Sequence, residues 1–291
     1  MNATTATTTA PAALHGPGSL HWRYAGDRRS YLMGPYAGVL QLMHPGLGAG
    51  VEQHSAFFTE PWERFLRSVP QILGVTYDWP DAGRTARGIR DFHTGIKGVD
   101  AHGRRYHALD PEIYFWAHAT MIMSLVKAVE LFHHPLTDDE RERLYAESCA
   151  GYRLYGVSDR PVPRDWAAFC AYYDRMCADV LEPTRTAVRL AHLGEDPPRS
   201  FPGLPDRVFR LVGPVASWAG WWLMRATLPP VVRERLGATW SRRDERAFRA
   251  FTLVVRRVFG LLPVRLRYDA RARAAFRRTG IGPRGTAPAR R

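Results

Sequence analysis

The stretch that decides the fold is DPEIYFWAHATMIMSLVKAVELF, Asp110–Phe132. Apolar side chains occur around its whole helical circumference, whereas a helix at a protein surface keeps them to one stripe. The pattern therefore predicts a helix that is enclosed on all sides and central to the core. Its polar interior residues are His118, Thr120 and Ser124, and each of them must find a hydrogen-bond partner in the backbone or in a ligand.

Helical periodicity continues along nearly the whole chain, and no run of alternating strand pattern interrupts it. Thr137 with Glu140 forms a capping-box signature, and Pro70 is expected to kink or split its helix. We therefore predict an all-α protein, a single large helical domain. The candidate helices are Tyr31–Met43, Pro45–Phe57, Pro61–Thr76, Asp81–Lys97, Asp110–Phe132, Thr137–Tyr155, Arg164–Leu181, Pro183–His192, Leu204–Ala226, Pro229–Leu236, Ser241–Phe259 and Pro263–Arg277.

The chain has 291 residues, of which 45% are hydrophobic. This is enough to build a sizeable core, and it excludes wholesale disorder. Linkers between the candidate helices are short. We predict a disordered or extended leader at residues 1–30, one domain at residues 31–278, and a basic C-terminal tail at residues 279–291.

The net charge of +13 belongs almost entirely to the C-terminal part of the chain. From Ala238 to Arg291 there are 15 arginines and 3 acidic residues, whereas the preceding residues carry 26 basic and 25 acidic side chains. Such a charge attracts anionic membranes or nucleic acid. No nucleic-acid recognition motif accompanies it, which disfavours nucleic acid. The basic amphipathic helix Ser241–Phe259 suits a membrane surface at least as well.

Cysteine usage points to a reducing compartment, because Cys149, Cys170 and Cys177 are too few for a disulfide scaffold and odd in number. The N-terminus, Met1–Gly18, lacks the basic and apolar regions of a secretion signal. We expect a cytoplasmic protein, with peripheral contact to a membrane as an alternative. The Trp-rich segment Leu211–Val232 is interrupted by prolines and an arginine, so it predicts a buried or membrane-surface helix rather than a span.

Standard nucleotide and metal signatures are absent from the sequence: it has no Walker loop, no His-Glu-x-x-His, no Cys-x-x-Cys and no nucleophile elbow. The glycine cluster Gly46–Gly50 follows no strand pattern, so close helix packing explains it better than a phosphate loop. The pairs His102 with His107 and His133 with His134 lie in a polar loop and at a helix end. We expect both pairs to face solvent.

His93 is the most informative histidine. The apolar stripe of the predicted helix Asp81–Lys97 passes through it, so its imidazole is expected to point into the core. One interpretation is a neutral core histidine that is hydrogen-bonded to a backbone carbonyl. The other is an axial ligand of haem iron, which many all-α proteins hold in this way. His118 is the competing candidate for the ligand, or a residue that supports it or lies on the distal side.

A polar stripe runs along the predicted helix Pro61–Thr76, where Arg64, Arg67, Ser68 and Gln71 share one narrow face. A stripe of this kind is either a solvated face or the wall of a pocket. If it lines a pocket, the arginines would pair with haem propionates or orient a polar substrate.

These segments resemble the family that joins the rubber oxygenases (latex-clearing proteins) with the MpaB-like oxygenases. The resemblance covers roughly Gly34 to Ala275, and its motifs are specific in their order and spacing rather than singly. The segments that carry it are MHPGLGAGVEQHS (Met43–Ser55), PWERFLRS (Pro61–Ser68), IRDFHTGIKG (Ile89–Gly98), YHALDPE (Tyr106–Glu112), WAHA (Trp116–Ala119), and, later in the chain, Leu228-Pro-Pro with Arg233, Trp240-Ser-Arg and Leu262-Pro.

The resemblance implies a globin-like helical core that holds haem b, and oxidative cleavage of carbon–carbon bonds with O₂. It assigns the axial iron position to His93. The rubber oxygenases carry an Arg-x-x-Lys-Thr cluster, which reads Arg64-Phe-Leu-Arg67-Ser68 here. Arginine, with a pKa above about 12, cannot act as the base that a lysine could be. This departure argues against polyisoprene as the substrate and leaves haem binding unaffected.

On this resemblance, we expect a haem-dependent oxygenase that activates O₂ on a small apolar substrate of isoprenoid or lipid type. The residues expected to contact oxygen or polarise it are Arg64, Arg67, Ser68, and either Thr120 or Ser124. The residues expected to contact haem are His93 as the metal ligand, Arg64, His118 and Trp116. An apolar pocket would be shaped by Phe92, Trp116, Met121 and Met123.

Two other classes of function stay open on the sequence. A non-catalytic haem carrier or sensor would absorb light like the oxygenase but consume no O₂. A basic binding module would depend on the tail Arg271–Arg291, and its binding would weaken with salt.

Overall fold

The computed structural model describes residues 14–191 and 202–285. The helices and strands in chain order are α1 (Leu20–Tyr24), a 3₁₀ helix (Arg28–Met33), α2 (Gly34–Leu42), α3 (Pro45–His54), a 3₁₀ helix (Ala56–Phe58), α4 (Pro61–Tyr77), α5 (Ala82–Asp91), β1 (Lys97–Val99), β2 (Arg105–His107), α6 (Pro111–Phe132), α7 (Asp138–Arg153), α8 (Trp166–Arg175), a π-helical turn (Met176–Val180), α9 (Arg185–Ala191), α10 (Asp206–Thr227), α11 (Pro230–Arg235), α12 (Arg242–Leu261), α13 (Val264–Arg267) and α14 (Ala270–Thr279).

α6 is the central helix of the domain, as its sequence predicts. Glu112 is its one exposed residue, and α2, α7, α12 and the Arg28–Met33 turn pack around it. By length and composition alone α6 could also cross a membrane, but most of it is buried by the other helices. The all-α prediction is confirmed, since the described residues form helices and one small two-stranded sheet.

Two predicted helix starts are confirmed by reciprocal capping. Thr137 accepts from the backbone of Glu140, whose carboxylate accepts from the backbone of Thr137. Ser241 and Asp244 form the same arrangement at the start of α12. In both cases two otherwise unpaired backbone N–H groups are satisfied, which fixes where the helix begins.

α5 ends earlier than the predicted helix Asp81–Lys97. The helix stops at Asp91, and Lys97–Val99 pairs antiparallel with Arg105–His107 in a segment expected to be loop. Side chains just past the helix end donate hydrogen bonds to carbonyls of its last turn: His93 donates to the carbonyl of Ile89, and Thr94 to that of Asp91, each at 2.8 Å. The two strands have three residues each, which is too short for an alternating pattern to show in sequence.

α4 is continuous through Pro70, so of the predicted kink or split, the split does not occur and the kink stays a prediction. Its C-terminal half, Leu73–Tyr77, is buried, and that packing outweighs the backbone hydrogen bond that proline removes. A short turn joins α4 to α5 in a helical hairpin. Gly74 lets the two helices approach closely, because a Cβ there would lie 2.8 Å from Cγ2 of Thr85.

The glycine cluster at the start of α3 serves close packing, as predicted. A Cβ on Gly46 would lie 2.9 Å from Cδ1 of Ile113, and one on Gly48 would lie 3.0 Å from the hydroxyls of Thr184 and Thr186. α3 therefore lies tightly between α6 and the start of α9.

α10 is only partly buried, in contrast to the buried helix that its composition allows. Phe209 and Met224 face the core, whereas Leu211, Val215 and Trp218 are more than half exposed. Its apolar residues extend beyond the one face that neighbouring helices cover.

The two ends of the domain pack on each other. The rings of Trp22 and Phe276 lie 5.7 Å apart, and buried Asp27 pairs with Arg267. The leader predicted for residues 1–30 overlaps this packed region, because Leu20 onward is helical and buried, while residues 1–13 lie outside the described part. Of the predicted tail, residues 279–285 are described.

The two histidine pairs differ in exposure. His102 is half exposed and pairs with Glu182 at 2.7 Å, as expected for a surface histidine. His133 is not exposed: its side chain has 8% of its surface accessible. Tyr24 and the segment 262–268, which lie far away in sequence, cover this end of α6.

Candidate functional site

His93 lies in the turn that follows α5, with its ring partly exposed. Its Nδ1 atom is 2.8 Å from the carbonyl oxygen of Ile89. A carbonyl oxygen can only accept a hydrogen bond, so Nδ1 carries the ring proton and Nε2 keeps a lone pair. No hydrogen bond to Nε2 occurs within the described part of the chain. The sequence predicts that His93 points into the core from a helix; in the structure the helix ends before it, and its partly exposed ring packs edge-on against Tyr114 of α6.

Three side chains hold the segment after His93 in place. His107 contacts the carbonyl of Thr94 at 3.1 Å, His54 contacts that of Lys97 at 3.0 Å, and the Gln53 amide donates to that of Val99 at 2.9 Å. Bonds from α3 and β2 thus fix the loop from both sides.

Gly98 in this loop has no room for a side chain. A Cβ there would lie 2.8 Å from Oη of Tyr106 and 3.1 Å from its Cε1. Tyr106 in turn donates to Gln53, so the glycine keeps β1 close to both residues. The second glycine of the His-Thr-Gly-Ile-Lys-Gly sequence, Gly98, is therefore explained by close packing in the loop that carries His93.

An aromatic wall connects the two candidate histidines. The ring of His93 meets Tyr114 edge-on at 5.9 Å, and Tyr114 lies 5.4 Å from Tyr155. His118, one turn beyond Tyr114 on α6, lies 5.2 Å from Tyr152. The structure therefore places His93 at the outer end of this wall and His118 at its inner end, on one side of α6.

His118 is enclosed. Its Nε2 atom donates to the carbonyl of Ser148 at 3.0 Å, and its Nδ1 atom is buried without a hydrogen-bond partner. Burial lowers the pKa of His118 to about 4, so the ring is neutral. A metal ligand is a neutral imidazole too, so His118 differs from an open ligand position in its burial and not in its charge state.

Two further histidines lie close to His118, and no sequence pattern singles them out. His15 donates from Nδ1 to the carbonyl of Glu147 at 2.9 Å, and His21 contacts the Ser148 hydroxyl at 2.7 Å. Their rings lie 4.2 Å apart. Both histidines precede the first periodic helix pattern, in the stretch assigned to the leader. Among the described residues, no three metal-binding side chains converge on one point.

Thr120, Ser124 and Trp116 lie on the other side of α6, because two positions along a helix turn the side chain by about 200°. Thr120 donates to the carbonyl of Ala117 at 2.8 Å and accepts from Gln41 at 2.9 Å. Ser124 donates to the carbonyl of Thr120, and the Trp116 indole donates to the carbonyl of Leu40. The structure does not bring these three side chains together with His93.

Arg64, Arg67 and Ser68 lie in the N-terminal half of α4. The Arg64 guanidinium lies 5.2 Å from the centre of the Phe57 ring, and burial together with Arg67 lowers its pKa. Arg67 is mostly exposed and lies 3.7 Å from Glu60. Ser68 is partly buried on the face of Arg64, one turn on.

The α4–α5 hairpin relates this face to His93. Gly74 faces Thr85 across the hairpin. Antiparallel helices rise equally, so the six residues from Thr85 to the end of α5 at Asp91 bring that end to about the level of Ser68. His93 follows two residues later. No hydrogen bond or ion pair links the two sets within the described ranges. Phe92, 71% exposed, and Leu66 leave apolar surface at this end of the hairpin.

Two cavities lie elsewhere in the described part of the chain. The larger, of about 700 Å³, lies between the two ends of the domain, and the smaller, of about 180 Å³, lies between α3 and α9. His93 lines neither of them.

Comparison with protein-family models matches residues 22–257 to one family, described as ER-bound oxygenase mpaB/B'/Rubber oxygenase, catalytic domain. The matched span contains the whole α4–α5 hairpin and α6 and ends inside α12. Searches of curated proteins and of solved structures find no match.

Proposed function

Because the chain belongs to the family of mpaB and rubber oxygenase catalytic domains, we propose that it is a haem-dependent oxygenase acting on a small apolar organic substrate of isoprenoid or lipid type. Membership in this family supports an oxygenase activity that uses O₂ and an organic substrate. The observation that supports haem as the cofactor is the hydrogen bond from Nδ1 of His93 to the carbonyl oxygen of Ile89.

The ring of His93 has the state that an iron-binding histidine needs. Histidines that bind metals donate their second N–H to a fixed acceptor, which sets the tautomer and the ring orientation. His93 does so through Nδ1 and Ile89, and its Nε2 atom has no hydrogen-bond partner in the described part of the chain. His118 has its Nε2 hydrogen engaged and its Nδ1 buried, so His93 is the better iron ligand.

Arg64 supplies a cation on the N-terminal half of α4, the helix that forms the hairpin with α5. It forms no ion pair with any carboxylate of the described residues, and its stacking on Phe57 holds the guanidinium in place. It would pair with haem propionates or with a polar end of the substrate. Arg67 is exposed and shares its charge with Glu60, so its contribution is smaller.

Bound haem would supply the activation of O₂, and the protein would position the reactants around it. Ser68 is the hydroxyl available on the face of Arg64. Thr120 and Ser124 are the weaker candidates for that role, because their hydroxyls donate to the backbone of α6. Trp116 and His118 would support the site through the packing of α6 rather than by contact.

The apolar surface at the end of the hairpin favours an apolar substrate, since Phe92 and Leu66 present large side chains to solvent there. Arginine at position 67 argues against base catalysis from this residue. The three unpaired cysteines favour the cytoplasm as the compartment.

The test is an absorption spectrum of the full chain, as purified and after reconstitution with haemin. We expect a Soret band that His93→Ala abolishes and His118→Gln retains, with circular dichroism showing that both variants are folded. A wild-type protein without a Soret band, or a band unchanged in His93→Ala, would contradict haem binding at His93.

Oxygen uptake separates the enzyme from a haem carrier. With isoprenoid or fatty-acyl substrates, the reconstituted protein should consume O₂, and Arg64→Gln should slow consumption while keeping the Soret band. A Soret band without O₂ consumption on any of these substrates would favour the non-catalytic carrier instead.

A further inference from the structure

A second candidate site lies in the cavity of about 700 Å³ between the two ends of the domain. Its walls come from α1, the C-terminal end of α6, and the segment after residue 257. That segment follows the family match, which ends at residue 257. We call this space the arginine cavity, after the side chains that line it: Arg23, Arg265, Arg267, Arg273, Arg277 and Arg284.

Most of the charge of the arginine cavity has no ion-pair partner among the described residues. No aspartate or glutamate is among its lining residues. His133 and His134 also lie in its walls, and both ring nitrogens of His134 are already hydrogen-bonded, to Tyr24 and Pro135. Of the six arginines, Arg267 alone has an ion pair with a described residue, Asp27 at 3.3 Å. Six arginines that line one cavity give it a positive potential, which favours an anion as its ligand.

Buried donors in this region lack acceptors. The Nε–H groups of Arg267 and Arg273 are buried without a hydrogen-bond partner among the described residues. The His133 side chain is more than nine-tenths buried, its Nε2 atom makes no hydrogen bond, and it lies 4.0 Å from Asp27. Native proteins rarely leave several buried polar groups unsatisfied in one place, which points to a ligand.

Asp27 fixes the orientation of this cluster. Its carboxylate accepts from Nε of Arg29 at 2.9 Å and from Nη2 at 2.7 Å, and it also holds Arg267. Burial and the nearby Arg29 lower the pKa of His133 to about 3, so this ring is neutral. Asp27 thus fixes the guanidinium of Arg267 at the cavity wall, where it can contact an anion.

The rest of the cavity is apolar, with Tyr24, Leu262, Val264 and Phe276 in its walls. Its volume falls in the range of small-molecule sites, about 300–1,000 Å³, and exceeds what a bare inorganic ion fills. Arginine forks match the oxygens of phosphate groups in two parallel hydrogen bonds. The occupant that suits both parts is a phosphate group joined to an apolar moiety.

We propose that the arginine cavity binds a phosphomonoester with an apolar substituent, with Arg267, Arg273 and His133 around the phosphate and Phe276 and Leu262 against the apolar part. Either a soluble phosphorylated compound or the headgroup of an anionic phospholipid supplies this chemistry. The site is separate from the His93 hairpin and does not depend on the oxygenase activity.

Calorimetric titration of the full chain with 1-naphthyl phosphate tests the soluble source, at about 150 mM salt so that surface charge is screened. We expect Arg273→Gln to weaken binding by about tenfold or more. Arg243→Gln is the matched control, because it removes the same charge from an exposed position on α12. We expect it to change affinity by less than about twofold. Arg277→Gln is the second cavity variant should Arg273→Gln unfold.

Sedimentation with vesicles tests the lipid source, comparing phosphatidic acid in phosphatidylcholine with phosphatidylcholine alone. Binding of either probe that is lost in Arg273→Gln and kept in Arg243→Gln supports the site and identifies its source. If neither probe binds, or if both variants weaken binding equally, the attraction is a property of the overall charge and the proposal is wrong.

Discussion

The hydroxyl of Thr76 donates to Nε2 of His15, 2.9 Å away and 61 positions earlier in the chain. Since Nδ1 of the same ring donates to the carbonyl of Glu147, His15 is held neutral with both nitrogens engaged. Burial lowers the pKa of His15 and of His118 to about 4 and that of His21 still further. Three neutral histidines therefore form part of the packed core.

The first prediction concerns pH. In the unfolded chain these histidines take up protons near pH 6.5, whereas in the fold His15 and His118 do so only near pH 4. Because the unfolded state binds more protons in this window, stability is complete above about pH 6.5 and falls as the pH drops toward 4. Each histidine should remove about 2 kcal/mol of unfolding free energy between pH 7 and 5.

Urea unfolding at the two pH values measures this loss. His118→Gln keeps a donor for the carbonyl of Ser148 but cannot be protonated, so its unfolding free energy should depend less steeply on pH. An identical pH dependence in the variant would show that His118 is not responsible.

The second prediction concerns the loop that carries His93. Gly98→Ala would place a methyl group against Tyr106, and such overpacking typically destabilises by about 1–3 kcal/mol. The displaced loop should also bind haemin less tightly. Gly95→Ala is the control, because a Cβ there meets nothing within 4 Å. Thermal unfolding and haemin titration should separate the two variants; equal stability would mean that the loop can shift freely.

The third prediction concerns Asp27, whose side chain is fully buried between Arg29 and Arg267. Asp27→Asn would leave two guanidinium groups without a counter-charge, and breaking a buried pair in this way destabilises by about 3–5 kcal/mol. Glu60→Gln removes one partner of the exposed pair with Arg67 and should change stability by less than about 1 kcal/mol. Chemical denaturation compares them, and similar values would contradict the buried pairing.

The fourth prediction separates the hydroxyls of α6 from that of α4. Thr120→Val removes one of two acceptors of the Gln41 amide, which also donates to the carbonyl of Ala117, so it should destabilise by about 0.5–1.5 kcal/mol. Ser124→Ala should be nearly neutral, since that hydroxyl only donates back to its own helix. Both variants should keep the O₂ consumption of the wild type, whereas Ser68→Ala should lower it. Loss of activity in Thr120→Val, with haem retained, would assign the oxygen contact to Thr120.

The central helix was predictable because its pattern is local. Apolar residues on every face of Asp110–Phe132 can only be satisfied by enclosure, whatever the surrounding helices are. The capping pairs at Thr137 and Ser241 are local in the same way.

The surroundings of the histidines were not predictable, because they depend on distant segments. His93 falls outside α5, where its own side chain and that of Thr94 donate hydrogen bonds to the carbonyls of the last helical turn. Apolar periodicity does not reveal such side-chain caps. His133 is buried by Tyr24 and by residues near Tyr268. His15 joins the core through contacts with Thr76 and Glu147. In each case the partner lies far away in sequence or in a segment without a periodic pattern.

The enclosure of α6 has a consequence for hydrogen exchange. Its backbone amides meet water only when the helices around it separate, so their exchange rates should report the free energy of opening the whole domain. The first half of α4, with its exposed Leu66 and Arg67, should exchange through small local openings instead. A ligand bound at the hairpin would then slow exchange in α4 directly and in α6 only by as much as it stabilises the entire fold.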